Sequence, residues 1–93
     1  MGSLPFYRKK IDVIDKKIVK LLLSRFKFSK QIASYKKRNK MGITDKKRER
    51  GIISNIGKHS NKNHQKFFKK FFSEIIKYSK KIQRQNGKQG TFI

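Results

Sequence analysis

The sequence predicts an all-α protein of three helices, the first much longer than the others, assembled as an intertwined helical homodimer. Two observations carry that expectation. Apolar residues recur at three- and four-residue intervals along most of the 93 residues, which is the period of an amphipathic helix. One unbroken stretch of that pattern is also too long for so short a chain to cover by itself.

The long stretch comes first. Tyr7, Ile11, Ile14, Ile18, Leu21, Arg25, Phe28, Ile32 and Tyr35 alternate spacings of four and three, a heptad stripe with Arg25 as its one charged member. Leu22, Phe26 and Ala33 widen the apolar face. Pro5 suits a first helical turn, and Gly42 follows as the residue expected to end the helix. The predicted helix runs over 5–39. Asp45 is a good N-cap for a second helix over 46–57, which carries Ile52, Ile53 and Ile56 on one side and has Gly57 as its expected C-cap. Residues 58–63 are loop by composition. A third helix over 64–85 bears Phe68, Phe71, Phe72, Ile75, Ile76, Ser79, Ile82 and Gln83 along one face. Residues 86–93, with two glycines, read as a flexible, frayed tail. The whole forms one domain, 1–93, near the lower size limit for a self-sufficient core.

A helix over 5–39 is about 50 Å long at 1.5 Å per residue, whereas a compact chain of this length is only about 30 Å across. The first helix must overhang its own partners and leave part of its stripe in water. A second copy of the chain is the simplest cover, so a dimer built on paired first helices follows from the physics alone.

Composition narrows the functional classes. There is no cysteine, hence no disulfide framework and no thiolate metal site. His59 and His64 fall in a polar stretch and read as surface loop or helix-end residues, so no metal is expected. No apolar run exceeds Leu21–Leu23, too short for a membrane span or a signal-peptide core, and a cytoplasmic protein is the expectation. The net charge of +22 suits nucleic acid, an anionic surface or a small polyanionic substrate, and equally a lysine-rich solvated exterior. Charge alone does not choose among these.

More selective are polar residues on faces that ought to be apolar. Arg25 occupies a heptad core position. Lys36 follows eleven residues later, about 20° past three full turns, with Ser29 and Ile32 between them on the same face. Ser79 and Gln83 continue the stripe of Phe72, Ile75 and Ile76. Asp45, Arg48 and Glu49 cluster at the start of the second helix. Burying such groups costs several kcal/mol unless something satisfies them. Either they satisfy one another, or they line a cavity for a polar anion. Each also has an ordinary reading: Arg25 as a register-setting core residue, Lys36 as part of the solvated run Lys36–Arg38, Ser79 as a helix back-bonder, Gln83 as the point where the third helix meets solvent, Asp45 and Glu49 as a cap and a dipole partner.

The series Arg8-x-x-Ile11-Asp12-x-Ile14-Asp15-x-x-Ile18-x-x-Leu21-Leu22-x-x-Arg25, then Ile32-Ala33-x-x-Lys36, Asp45-x-x-Arg48-Glu49 and Ile75-Ile76-x-x-Ser79-x-x-x-Gln83 resembles the all-α chorismate mutases over residues 6–85. The spacing of Arg25, Lys36, Asp45, Arg48 and Glu49 matches the family's without a gap. The resemblance implies conversion of chorismate to prephenate in the biosynthesis of phenylalanine and tyrosine, with no cofactor. It also implies roles: Arg25 and an N-terminal arginine, Arg8 here, grip the substrate's two carboxylates; Lys36 and Gln83 reach its ether oxygen; Asp45, through its backbone, and Glu49 meet the ring hydroxyl; Arg48 and Ser79 support the carboxylate side.

Helix geometry constrains one of these roles. Arg8 and Arg25 lie seventeen residues apart, about 25 Å along the helix and roughly 100° out of phase, so they cannot share a pocket within one chain. If two stripes pair antiparallel about Leu21, residue 8 of one copy lies opposite residue 34 of the other, close to Lys36. The site is then shared between subunits. Two rival readings stand beside this one: a basic helical protein that binds nucleic acid, supported by the charge but lacking a reader motif, and a relative acting as a lyase on isochorismate. Asp45 and Glu49, placed for chorismate's ring hydroxyl, favour the mutase.

Overall fold

The computed structural model describes residues 2–89, with side chains as far as Gln85. Its elements are α1 (Leu4–Arg38), α2 (Lys46–His59) and α3 (Gln65–Gln89), and no strand occurs among the described residues. None of these helices is long and apolar enough to cross a membrane.

The start of α1 is set by Ser3, whose hydroxyl accepts from the Phe6 N–H at 3.2 Å, with Pro5 in the first turn, where its missing N–H costs nothing. Its end falls within one residue of the expected 39, but Gly42 is not what closes it. The helix stops at Arg38, and Lys40 takes the left-handed conformation at φ 54°. The Met41 N–H then donates back to the Lys36 carbonyl (2.8 Å) and the Lys40 N–H to that of Lys37 (3.3 Å). This closing pattern normally has glycine at its left-handed position; the glycine here falls two residues later. Asn39 adds a side-chain bond to the Tyr35 carbonyl at 2.8 Å.

Asp45 caps α2, accepting from the Arg48 N–H at 3.0 Å. Gly57, expected as the C-cap, lies instead inside α2 and is buried; the helix continues to His59 and stops at Ser60. The glycine serves the close approach of two helices. A Cβ there would come within 2.8 Å of Lys69 Cε and 3.3 Å of Gln65 Nε2 on α3, and the bare backbone lets Gln65 Nε2 donate to the Gly57 carbonyl at 2.7 Å. The third helix extends to Gln89, four residues past the expected end, because good helix formers (Gln, Arg, Lys) flank its single late glycine. Of the expected tail, residues 90–93 lie outside the described residues.

Both other helices pack on α3. Glu49 sits beside Lys80 and Gly57 beside Gln65, so α2 and α3 run antiparallel. The packed edge of α1 is Leu22, Phe26, Ser29 and Ala33, a 4-3-4 series displaced by one residue from the heptad stripe. Phe26 meets Tyr78 edge-to-face at 5.0 Å. The buried core is small: Ala33, Ile75, Ile76 and Ile82 are joined by three polar residues, Ser29, Ser79 and Gln83. The heptad stripe itself remains open, its apolar members between 45% and 70% exposed. The radius of gyration is 16.9 Å and the extents are 55 × 33 × 14 Å, against about 12 Å for a compact chain of this length. A slab 14 Å thick is one helix deep, and a stable domain needs two layers.

Lys40 supplies a test of the helix end. Removing its Cβ with Lys40→Gly relieves the left-handed strain, partly offset by the freer unfolded chain, and should stabilise the fold by about 0.5–1 kcal/mol. A lower thermal midpoint would contradict this account of the termination.

Candidate active site

Where the C-terminal half of α1 meets the first turns of α2 and the middle of α3, a cavity of about 350 Å³ opens. Its apolar walls come from Phe28, Ile32, Ile43, Ile52 and Ile76. The rest is polar, and each polar side chain is set by an identifiable local feature.

Arg25 projects from the open stripe of α1 toward α3, where its Nη1 donates to Ser79 Oγ at 2.7 Å. Burial holds its pKa below the ordinary arginine value, and the positive charge of Arg48 adds to the effect. Since arginine starts so high, it stays charged; the lowering marks a guanidinium that would gain from an anion. Lys36 lies three turns later on the same face, half-buried, and its ammonium donates to the Ile43 carbonyl at 2.7 Å. The turn closing α1 therefore also fixes the lysine that faces the cavity. Asp45 and Glu49 arrive from the cap and first turn of α2, with Arg48 between them.

Ser79 and Gln83, one helical turn apart on α3, are both buried. Among the described residues the Gln83 Oε1 has no hydrogen-bond partner. A half-turn of the amide presents its NH2 group in the same place. A buried amide heteroatom left without a partner costs about 1–3 kcal/mol, and Gln83 carries it in the wall of the polar cavity.

Of the eight residues singled out in the sequence, Arg25, Lys36, Asp45, Arg48, Glu49, Ser79 and Gln83 all line this one cavity. Arg8 does not; it is exposed near the start of α1. The sequence reading passed over Lys80, which also lines the cavity and pairs with Glu49 at 3.2 Å. One more lysine carries no signal in a chain this basic. It also passed over the Ile43 carbonyl, which no side-chain pattern reveals. Four cations and two carboxylates border the cavity, a surplus of two positive charges that suits a small dianion. No cluster of three His, Cys, Asp or Glu side chains able to hold a metal occurs among the described residues, and His59 and His64 are exposed outside the cavity.

Residues 7–84 match the profile of the chorismate mutase type II family. The chain is also similar to a chorismate mutase of Methanocaldococcus jannaschii, 35% identical over 80 residues that make up 84% of this chain and 81% of that protein.

The unpartnered amide gives the site a stability signature. Gln83→Met keeps the volume and removes the buried polar group, and should leave the fold equally stable or stabilise it by about 1 kcal/mol. Loss of more than that amount in thermal or urea unfolding would mean that Gln83 serves the fold rather than a ligand.

Proposed function

The chain belongs to the chorismate mutase type II family, and from that membership we propose that the cavity is its active site, completed by a second copy of the chain. The enzyme converts chorismate to prephenate, a step on the route to phenylalanine and tyrosine. The single observation that supports the siting is the convergence of Arg25, Lys36 and Gln83, from two helices, on a pocket with a double positive surplus.

The reaction is a unimolecular rearrangement: a C–O bond of the enolpyruvyl ether breaks as a C–C bond to the ring forms. Neither nucleophile nor proton transfer is needed. The protein's task is to hold the flexible enolpyruvyl arm over the ring and to stabilise charge as it develops. Arg25, locked by Ser79, takes one substrate carboxylate with the fixed fork geometry that arginine provides, and Arg48 adds positive charge on that side. As the C–O bond opens, negative charge grows on the ether oxygen. The Lys36 ammonium and the Gln83 amide are the donors for it, both positioned before the substrate arrives. Each contributes about 2–4 kcal/mol, by analogy with oxyanion donors. Asp45, through its backbone, and Glu49 receive the ring hydroxyl.

The second carboxylate calls for the partner subunit's Arg8. Antiparallel pairing of two α1 stripes about Leu21 brings that residue to the level of Ser34, beside Lys36, and covers the apolar side chains that one chain leaves in water. Next to the cavity lies a second cleft of about 560 Å³, also bordered by Arg25 and Arg48. The homodimer is thus both the cover for the stripe and the source of the last cation.

The direct test is loss of chorismate's ultraviolet absorbance on adding the protein, with prephenate as product; pyruvate instead would redirect the assignment to a lyase. Lys36→Ala should lower kcat/KM by at least about 100-fold while helicity and sedimentation stay unchanged, and near-normal turnover would remove Lys36 from the chemistry. Subunit sharing has its own test. Arg8→Ala and Lys36→Ala proteins, each nearly inactive, should recover roughly a quarter of wild-type activity when unfolded together and refolded at equal amounts, because half the dimers are then mixed and each mixed dimer carries one intact site. No recovery would refute the shared site.

A further inference from the structure

We propose that Lys80 is a positioning residue for the ring-hydroxyl side of the site, holding Glu49 in the cavity wall as an acceptor and cancelling its charge. The inference rests on the reading that the cavity binds chorismate. Lys80 Nζ lies 3.2 Å from Glu49 Oε2 and 3.4 Å from Oε1, bridging α3 to α2 at the cavity rim. The side chains are only 22% and 27% exposed, so the pair is partly shielded from solvent. A second ion pair, Lys77–Glu74, joins neighbours on one helix at 71% and 65% exposure and does not border this cavity. The two pairs share their chemistry and differ in their place.

A carboxylate in a pocket for a dianion is useful and dangerous at once. Glu49 is a strong acceptor for a hydroxyl, yet uncompensated it repels the substrate's carboxylates. It would also compete with them for the guanidinium of Arg48, its sequence neighbour. Lys80 removes both problems. It occupies Glu49 from the rim, leaves Arg25 and Arg48 to the substrate, and supplies one of the four cations that create the double positive surplus. Its place in the chain fits an indirect role: it follows Ser79 and precedes Gln83 by three residues, yet it reaches only the rim while those two are buried.

The experiment is steady-state kinetics on the full-length protein. Wild-type turnover of chorismate is measured first, and its absence would defeat the underlying reading before any variant is made. Lys80→Met should raise KM ~10-fold with kcat within ~3-fold, the pattern of lost binding rather than lost chemistry, and Lys80→Arg should restore KM to within ~3-fold of wild type. On a Glu49→Gln background, Lys80→Met should cost less than a further ~2-fold, because a residue that acts through its partner has nothing left to position. Lys77→Met, removing the same charge elsewhere, should leave KM unchanged. The proposal is overturned if Lys80→Met has the wild-type KM, if its loss is undiminished on the Glu49→Gln background, or if Lys77→Met raises KM as much.

Discussion

The organising constraint is that one helix is longer than its own chain can cover. Along the 35-residue α1 only α3 packs, against one edge of its C-terminal half, while α2 packs on α3. What remains is a slab one helix thick with a heptad stripe facing water. Among the described residues four apolar side chains are buried, a slender core to set against the entropy of ordering the chain. The missing apolar burial is available on the stripe, and only to a second layer. Were a second copy of the chain to supply that layer, as proposed above, folding and assembly would be one problem and stability would depend on protein concentration.

The same constraint explains why the site lies where it does. The stripe and the packed edge of α1 are offset by one residue, and Arg25 belongs to the stripe while the adjacent Phe26 belongs to the edge. Its guanidinium thus reaches from the open side of the helix into the gap where α3 presents Ser79. Lys36 does the corresponding job at the end of the helix, where the left-handed Lys40 turns the chain so that the Ile43 carbonyl can hold its ammonium. Charges fixed by neutral partners keep their full field for a ligand. An ion pair would have spent it internally, and the one ion pair at the site, Glu49–Lys80, is confined to the rim.

The two repeating patterns made the fold legible. The heptad spacing over Tyr7–Tyr35 announced a helix too long to be self-sufficient, and Arg25 stood out because it broke that stripe. Ser79 and Gln83 were visible in the same way on α3. Lys36, Asp45 and Glu49 were not; each has an unremarkable local explanation, and only their joint spacing, matched to a family, singled them out. Gly57 was misread because a glycine near a helix end usually terminates it, while the demand it meets, close approach of Lys69 and Gln65, exists only in three dimensions. The closing residue of α1 was misassigned to Gly42 for the complementary reason: the left-handed position is filled by Lys40, a residue type that carries no such expectation. Lys80 was hidden by composition, since twenty-seven basic residues leave no contrast against which one more can register.

That excess of charge acts on two different lengths. At physiological ionic strength fields from exposed charges fade over about 8 Å, so the scattered lysines of the exterior cannot hold a small anion in one orientation. They can raise its rate of arrival, an effect that weakens with salt. Orientation belongs to the cations whose distances are fixed by protein groups, Arg25 by Ser79 and Lys36 by Ile43, in a pocket where solvent screens them less. The net charge of +22 and the local surplus of two positive charges are thus separate properties, and only the second is held at fixed distances by protein groups. A basic surface alone, which a nucleic-acid binder would share, leaves unexplained why a buried glutamine amide stands unpartnered beside a guanidinium and an ammonium. The dianion proposed for the cavity, with two carboxylates and an ether oxygen, would satisfy all three.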